Sequence, residues 1–253
     1  MYTPRIIPVL LLQGNSLVKS VRFKKHKYIG DPINAVRIFN DLKVDEIVFL
    51  DIEASKENRL ISMDFIKDVG EEANMPFAVG GGVKTLGDIE QIIKSGAERV
   101  IINTAAVIDP NFIKLACDKF GSSTIIVCID VKKRKFKKGN YVYLLSGSKS
   151  INETPENFAI QMEELGVGEI IVQSIDKDGL MNGYDLELIR SISEKVKIPV
   201  IALGGAGVPE HLEQGFNIGL ANGLAAGSLF VYHDNNRGVL INYVDKSELN
   251  FIR

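Results

Sequence analysis

The sequence predicts a single (β/α)8 barrel that occupies residues 1–253 as one domain. Short apolar runs rich in β-branched residues alternate eight times with segments of helical period, as expected for strands buried on both faces of a parallel sheet. A chain of 253 residues suits one such barrel. The second half of the chain also resembles the first, so we expect two half-barrels at about 1–120 and 121–253.

The elements follow in order along the chain. The predicted strands are 6–12, 46–50, 77–79, 100–103, 124–129, 169–173, 200–203 and 223–226. Three of the intervening helices have a clear start, because a capping side chain precedes a proline suited to the first turn. These starts are Asp31-Pro32, Asp109-Pro110 and Thr154-Pro155.

The internal repeat is clearest at glycines that follow two of the strands. The segment PFAVGGG in the first half matches PVIALGG in the second, and a later glycine matches as well. The equivalent glycines are Gly81, Gly82 and Gly96 in the first half and Gly204, Gly205 and Gly219 in the second. Two halves of four βα units each explain this spacing, and two separate domains do not.

The amino-acid composition limits the classes of binding partner and the cellular compartment that we expect. A net charge of −2 gives no overall reason to expect nucleic acid or membrane binding, so a small anion has to be held locally. Cys117 and Cys128 have no metal-like spacing and are typical of buried residues in a cytoplasmic protein. The three histidines are scattered, so we expect no metal and no cofactor.

Residues 132–150 interrupt the barrel pattern with KKRKFKKG, then YVYLL, then SGSKS. One interpretation is a solvated hairpin after the fifth strand. The other is a mobile basic lid over an anionic substrate, because the segment follows the carboxyl end of a strand, where the active sites of such barrels lie.

Two glycine-rich corners are candidate phosphate sites. Each follows a strand and precedes a helix, where backbone N–H groups can approach an anion, and the next strand in each half adds a second loop. The alternative is that the glycines only make tight turns, but their repetition favours a ligand with a phosphate at each end. The candidate contacts are Gly81, Gly82, Asn103, Thr104, Gly204, Gly205, Ala226, Gly227 and Ser228.

Carboxylates stand at the carboxyl ends of three predicted strands. Asp130 is the best candidate for a general acid or base, since an apolar strand leads directly into it and favours a raised pKa. Asp176 and Asp178 are either ligand contacts or turn formers. Asp51 either orients a ligand or accepts structural hydrogen bonds. The repeat pairs Asp130 with Leu11, and leucine cannot move a proton.

Several segments of the sequence, spread over nearly the whole chain, resemble one protein family. The segments VFLDIEAS, FAVGGGVKT, VIINTAAV, VGEIIVQSIDKDG and IALGGAG resemble HisF, the cyclase subunit of imidazole glycerol phosphate synthase, in order and in register. The resemblance implies a barrel that receives ammonia from a HisH-like glutaminase docked on its N-terminal face. It also implies that Lys19 contributes to a substrate loop above a phosphorylated ligand.

The resemblance further implies a ring of charges that guards the bottom of the barrel as an ammonia gate. The chain offers Arg5, Glu46, Arg99 and Glu169, each at a strand start, with Arg99 where the family usually has lysine. Glu98 would face the glutaminase. Ordinary solvated strand ends are the alternative interpretation of these charges.

The departure from HisF is position 11, where that family has a catalytic carboxylate and this chain has Leu11. The segments on the two flanks of the chain, 6–40 around Leu11 and 225–243 at the end, resemble HisF-like proteins of surface-glycan pathways. This resemblance implies a glutaminase and an ATP-dependent sugar amidotransferase as partners. The first hypothesis is therefore an ammonia-handling subunit for acetamidino-sugar formation. The alternatives are the histidine-pathway cyclase and a non-catalytic ammonia conduit that activates the glutaminase. The charged residues at the bottom of the barrel argue against the related sugar-phosphate isomerase, because that enzyme works alone and needs no entrance for ammonia.

Overall fold

A computed structural model describes residues 3–134, 139–233 and 238–251. Eight parallel strands close into a barrel, which confirms the predicted fold class. In their order around the barrel the strands are β1 (Arg5–Gln13), β4 (Ile47–Asp51), β5 (Phe77–Gly80), β6 (Arg99–Ile102), β7 (Ile125–Lys133), β10 (Glu169–Ser174), β11 (Val200–Leu203) and β12 (Gly223–Ala226). β12 pairs with β1 and β7 pairs with β10, so the parallel barrel has no free edge.

Helices cover the outside of the barrel between the strands. They are α1 (Pro32–Asp41), α2 (Met63–Glu72), α3 (Leu86–Lys94), α4 (Thr104–Ile108), α5 (Pro110–Phe120), α6 (Pro155–Glu164), α7 (Leu186–Ser193) and α8 (Pro209–Asn217). The three predicted helix starts are confirmed, since Asp31, Asp109 and Thr154 each accept a backbone N–H of the first turn. Because α4 and α5 share one connection, the helices and strands do not alternate strictly.

The last connection departs from the predicted alternation. Within residues 227–233 and 238–251, a 3-10 turn at Ser228–Phe230 and another at Lys246–Glu248 follow β12, and no α-helix does. The returning chain pairs Tyr232 with Val239 and then reaches the bottom of the barrel. There the Tyr243 hydroxyl donates to the Ile6 carbonyl at 2.9 Å. An irregular segment therefore closes the ring of helices.

Two antiparallel hairpins extend the barrel above its C-terminal end. β1 continues into β2 (Ser16–Val21) and β3 (Lys24–Gly30), and β7 continues into β8 (Asn140–Leu144) and β9 (Lys149–Ser150). The second hairpin lies in the segment 132–150 and agrees with the hairpin interpretation in the part that the structure describes. Residues 135–138, the centre of the predicted basic lid, lie outside the described residues.

The barrel has separate outer and inner cores. Between strands and helices, buried side chains such as Phe39, Phe49 and Phe216 fill the outer layer. Inside the barrel, a second cluster is built from aliphatic residues and Cys128. Leu11 and Leu50 pack on this inner cluster. The inward-facing residues beyond it, at the two strand ends, carry the polar chemistry.

Candidate functional site

A cavity of about 430 Å³ opens at the carboxyl ends of the barrel strands and is called the mouth below. The structure brings most of the predicted site residues together around it. They are Leu11, Lys19, Asp51, Gly81, Gly82, Asn103, Thr104, Asp130, Gly204, Gly205, Gly227 and Ser228. Ala226 instead packs in the outer core, and Asp176 lies on the outer side of its turn.

Two of the glycines are required by the backbone of the phosphate corners. Gly82 has φ +73°, and a Cβ there would lie 1.8 Å from the Arg59 carbonyl oxygen. Gly205 has φ +111°, and a Cβ there would lie 2.2 Å from the Gly183 carbonyl oxygen. Any side chain would clash with a main chain that cannot move aside cheaply. These glycines therefore serve local chain geometry at least, and they leave the adjoining backbone accessible from the mouth.

Asp130 is the buried acid of the mouth. It stands where β7 leaves the barrel, and its carboxyl group is buried beside the Cys128 thiol, with Sγ 3.9 Å from Oδ1. Burial raises its pKa to about 7, while a hydrogen bond from the Asn103 side chain opposes the rise and the nearby Asp178 adds to it. A carboxyl group with this pKa can hold or release a proton near neutral pH.

Leu11 stands in the mouth as the sequence predicts. It lines the same cavity as Asp130 and packs against the inner barrel cluster. Leu203, which the sequence analysis did not single out, also lines the cavity and belongs to that cluster. The mouth is thus apolar at Leu11 and Leu203, which stand on other barrel strands than Asp130, and neither side chain can transfer a proton.

Lys19 enters the mouth from β2. Its side chain is buried and its Nζ donates to the Val9 carbonyl oxygen at 2.6 Å. A methyl group on Gly227 would overlap this ammonium group, so Lys19 lies against the second phosphate corner. Burial lowers its pKa to about 8, and the charge of Asp178 partly offsets that effect. An anion bound at this corner would meet a cation fixed in place.

Asp178, and not Asp176, is the carboxylate of the SIDKDG turn that faces the mouth. It accepts hydrogen bonds from Ser20 Oγ at 2.7 Å and from the Phe23 backbone N–H at 3.2 Å, which fastens the β2–β3 hairpin. Burial raises its pKa. Asp176 accepts the Lys133 backbone N–H at 2.9 Å on the other side of the turn. No local pattern in the sequence separates the two aspartates, since both lie in one irregular turn.

The Asp51 carboxylate forms hydrogen bonds within the protein. Its carboxylate takes two hydrogen bonds from the Arg59 guanidinium, at 2.5 and 3.2 Å. The backbone N–H groups of Glu53 and Ala54 also donate to it. These four donors favour the structural interpretation of Asp51, which holds the loop beside the first phosphate corner.

The two hairpins meet over the mouth. Phe23 of the first hairpin lies against Gly147 of the second, whose added Cβ would be 3.2 Å from the Phe23 ring. The second hairpin is fastened to the first phosphate corner, because the Leu145 N–H donates to Thr104 Oγ1 at 3.2 Å. Ser146 Oγ donates to the Ile52 carbonyl oxygen at 3.2 Å. A ligand in the mouth would therefore be covered from both halves of the barrel.

The opposite end of the barrel carries the four predicted charges, called the charged ring below. Arg5 pairs with Glu46 at 2.6 Å and also with Glu169. Arg99 pairs with Glu46 at 2.5 Å and also with Glu169. Both carboxylates are nearly inaccessible, so these are not solvated strand ends. Burial raises the pKa of Glu46, opposed by the two arginines. Nearby, Glu98 accepts the Phe77 N–H at 2.9 Å.

The fold and the site define a class of protein, a (β/α)8 barrel with a cavity at its mouth that contains buried acids and a bottom closed by alternating charges. A search of protein families matches "Histidine biosynthesis protein" over residues 5–236. The chain belongs to this family and, within it, to the HisF group of imidazole glycerol phosphate synthase subunits. No helix among the described residues is long and apolar enough to cross a membrane.

Individual relatives cover almost the entire chain. A Pseudomonas aeruginosa protein provisionally named imidazole glycerol phosphate synthase subunit hisF2 is 46% identical over 245 residues, 97% of each chain. A provisionally named HisF of Leptospira borgpetersenii is 43% identical over 244 residues, 96% of each chain. The imidazole glycerol phosphate synthase subunit HisF of Lachnoclostridium phytofermentans is 40% identical over 98% of this chain and 96% of its own.

The raised pKa of Asp130 predicts a specific pH dependence of stability. Because the folded state holds this proton up to about pH 7 and the unfolded chain releases it near 3.8, stability falls as pH rises between those values. Asp130→Asn should remove that slope, amounting to roughly 2 to 4 kcal/mol over the interval. Urea unfolding of both proteins from pH 4 to 8 measures it. If the free energy of unfolding changed with pH in the same way for both proteins, a buried, protonated Asp130 would be contradicted.

Proposed function

We propose that this chain is the ammonia-handling barrel subunit of a glutamine amidotransferase system and that it serves the amidination of an N-acetyl sugar for a surface glycan. The proposal rests on two observations together: all four ion pairs of the charged ring are formed, whereas the mouth has the apolar side chain of Leu11 at the position that the internal repeat pairs with Asp130. Ammonia entry is retained, and the pair of acid–base groups expected of a cyclase is reduced to one.

The bottom of the barrel supports a HisH-like glutaminase as the ammonia source. Two arginines and two buried glutamates close the barrel entrance with four ion pairs. A barrel that took its substrates only at the mouth would gain little from buried charges at the other end, because their desolvation is costly. In this proposal Glu98, beside the ring, belongs to the glutaminase contact, and the complex works in the cytoplasm.

The mouth supports a phosphorylated small molecule as the ligand. Lys19 supplies a buried cation at one corner, and Gly82 and Gly205 line the mouth after equivalent strands, in βα turns of the kind whose backbone N–H groups bind phosphate. Asp130 then either protonates the bound molecule or remains from the ancestral site. The sugar assignment is supported by the resemblance of the flanks to glycan-pathway proteins and implies an ATP-dependent sugar amidotransferase as the final ammonia acceptor.

A second candidate is the histidine-pathway cyclase itself. The Lachnoclostridium phytofermentans relative is named imidazole glycerol phosphate synthase subunit HisF without qualification at 40% identity, and glycines of both candidate phosphate corners line the mouth here. This candidate needs another group to replace the carboxylate at position 11. Asp178 is another carboxylate that lines the mouth, but it already accepts hydrogen bonds from Ser20 and Phe23.

Reconstitution tests the proposal. Glutaminase, barrel and ATP-dependent amidotransferase are combined with an N-acetyl sugar substrate, and the acetamidino product is measured with glutamine or with ammonium salt as nitrogen donor. We expect the barrel to be required with glutamine and dispensable with excess ammonium. Asp130→Asn separates chemistry in the mouth from simple conduction, since a conduit keeps its glutamine-dependent yield. Equal yield with glutamine in the absence of the barrel would refute the proposal.

A further inference from the structure

A groove separate from the mouth lies on the outer side of the two hairpins. It has a volume of about 690 Å³ and is called the basic groove. Its charged lining comprises Arg22, Lys24, Lys25, Lys132, Lys133, Arg134 and Asp176. Six cations and one carboxylate therefore surround it, in a protein whose net charge is −2. This concentration of positive charge is local and is not explained by overall composition.

The cations of the groove outnumber the acidic side chains beside them. Among the described residues, none of the six forms an ion pair. Asp176 accepts a backbone N–H from Lys133, and its single negative charge offsets only one of the six positive charges. Within the part of the chain that the structure describes, Arg134 Nε is buried without a hydrogen-bond partner. Unpaired cations held together repel one another, so an anion from outside would stabilise this arrangement.

The walls of the groove are held in place by specific contacts. The Arg134 guanidinium lies 3.9 Å from the centre of the Tyr141 ring and donates to the Ile151 carbonyl oxygen at 2.5 Å. On the facing wall, Arg22 and Phe23 both have left-handed backbone angles, φ +53° and +58°, in the two-residue turn between β2 and β3. That turn usually takes asparagine and glycine, so the chain accepts strain to present a cationic side chain here.

We propose that the basic groove binds the diphosphate group of a small ester ligand. Cations stand on both walls, three from the β2–β3 hairpin and three from the β7 extension, which suits a ligand with two linked phosphates better than one. The volume falls within the usual range of small-ligand sites. The site uses none of the mouth residues, so it stands whether or not the proposed sugar amidination is correct.

Isothermal titration calorimetry with inorganic pyrophosphate tests the site. The test variant is the double substitution Lys24→Ser with Lys133→Ser, which removes one exposed cation from each wall. The matched control is Lys195→Ser with Lys197→Ser, which changes the net charge equally on an exposed segment away from both sites. We expect the test variant to weaken pyrophosphate binding about 100-fold and the control to leave it unchanged, because the test variant loses a charge-assisted contact on each wall and each such contact is worth about 10-fold.

Orthophosphate and uridine diphosphate define the ligand chemistry. Binding of the nucleoside diphosphate at least as tight as that of pyrophosphate supports the proposed ester ligand, and clearly tighter binding of free pyrophosphate would overturn it. A second binding event that survives in the test variant belongs to the mouth and is counted separately. Orthophosphate binding as tight as pyrophosphate, or equal loss in test and control variants, would overturn the proposal, the second outcome indicating only general charge attraction.

Discussion

The wild-type protein is expected to leave the bis-phosphorylated ribulosyl substrate of imidazole glycerol phosphate synthase essentially unconverted, even with ammonium salt in excess. A positioned general acid or base contributes about 10²- to 10⁴-fold to rate, and this chain has Leu11 where the second one belongs. Excess ammonium removes any dependence on the glutaminase, so the measurement isolates chemistry in the mouth. Product formation is followed by its absorbance or by chromatography.

Leu11→Asp is expected to restore measurable cyclisation. The new carboxylate would line the same cavity as Asp130 from the opposite side of the barrel, so that one group could act as the acid and the other as the base. We expect a gain on the order of 10²-fold over wild type. Adding Leu203→Ser should increase the gain, because that leucine also lines the mouth and keeps it apolar.

The matched control for this gain is Leu11→Asn, which has nearly the size of aspartate but cannot transfer a proton. It should remain as inactive as wild type. A wild type with ordinary cyclase turnover would show that another group replaces position 11, and the histidine-pathway candidate would then be favoured. Equal gains from aspartate and asparagine would show that cavity polarity, and not acid–base chemistry, limits the reaction.

The barrel and the place of its site were predictable because they rest on local, repeated signals. Apolar strands, capped helix starts and glycines after two equivalent strands each occur twice or more, and parallel strands must present their carboxyl ends together. Asp130 was predictable for the same reason, since an apolar strand runs into it. The resemblance to HisF pointed to a ring made by Arg5, Glu46, Arg99 and Glu169 at strand starts, where closure of the barrel brings them into contact.

Other features depend on contacts between distant residues and have no local signal. The choice between Asp176 and Asp178 follows from how the β2–β3 hairpin docks on their turn. The role of Asp51 follows from Arg59, which reaches back to it from the following loop. The irregular segment after β12 is apparent only from its own contacts, such as that of Tyr243 with Ile6. Strand and helix patterns do not encode such pairings.

Arg99→Met is expected to destabilise the protein strongly at neutral pH. Glu46 and Glu169 are buried, and each is held by Arg99 and Arg5 together. Removing one partner of a buried ion pair typically costs about 3 to 5 kcal/mol, because a buried charge is left without compensation. Since Arg5 remains and is partly exposed to solvent, we expect a loss of about 3 kcal/mol in the free energy of unfolding, measured by urea denaturation.

The loss should depend on pH in a definite direction. Arg99 opposes the rise that burial causes in the pKa of Glu46, so in its absence the folded-state pKa of Glu46 is higher. The destabilisation therefore grows as pH rises above the ordinary pKa of glutamate and shrinks toward pH 4. Arg190→Met, which breaks an exposed pair with Glu194, is the matched control and should cost less than about 1 kcal/mol at any pH. A similar loss in both variants would mean that the ring is an ordinary surface network.

Arg99→Lys distinguishes a structural ring from a gate. Lysine keeps the charge, so most of the stability should return, but it cannot donate through two separate nitrogens to Glu46 and Glu169 as Arg99 does. If the ring controls ammonia entry, this variant should fold normally and still change the ratio of glutamine-driven to ammonium-driven product. An unchanged ratio in a stable variant would limit the ring to holding strands β1, β6 and β10 together with the start of β4.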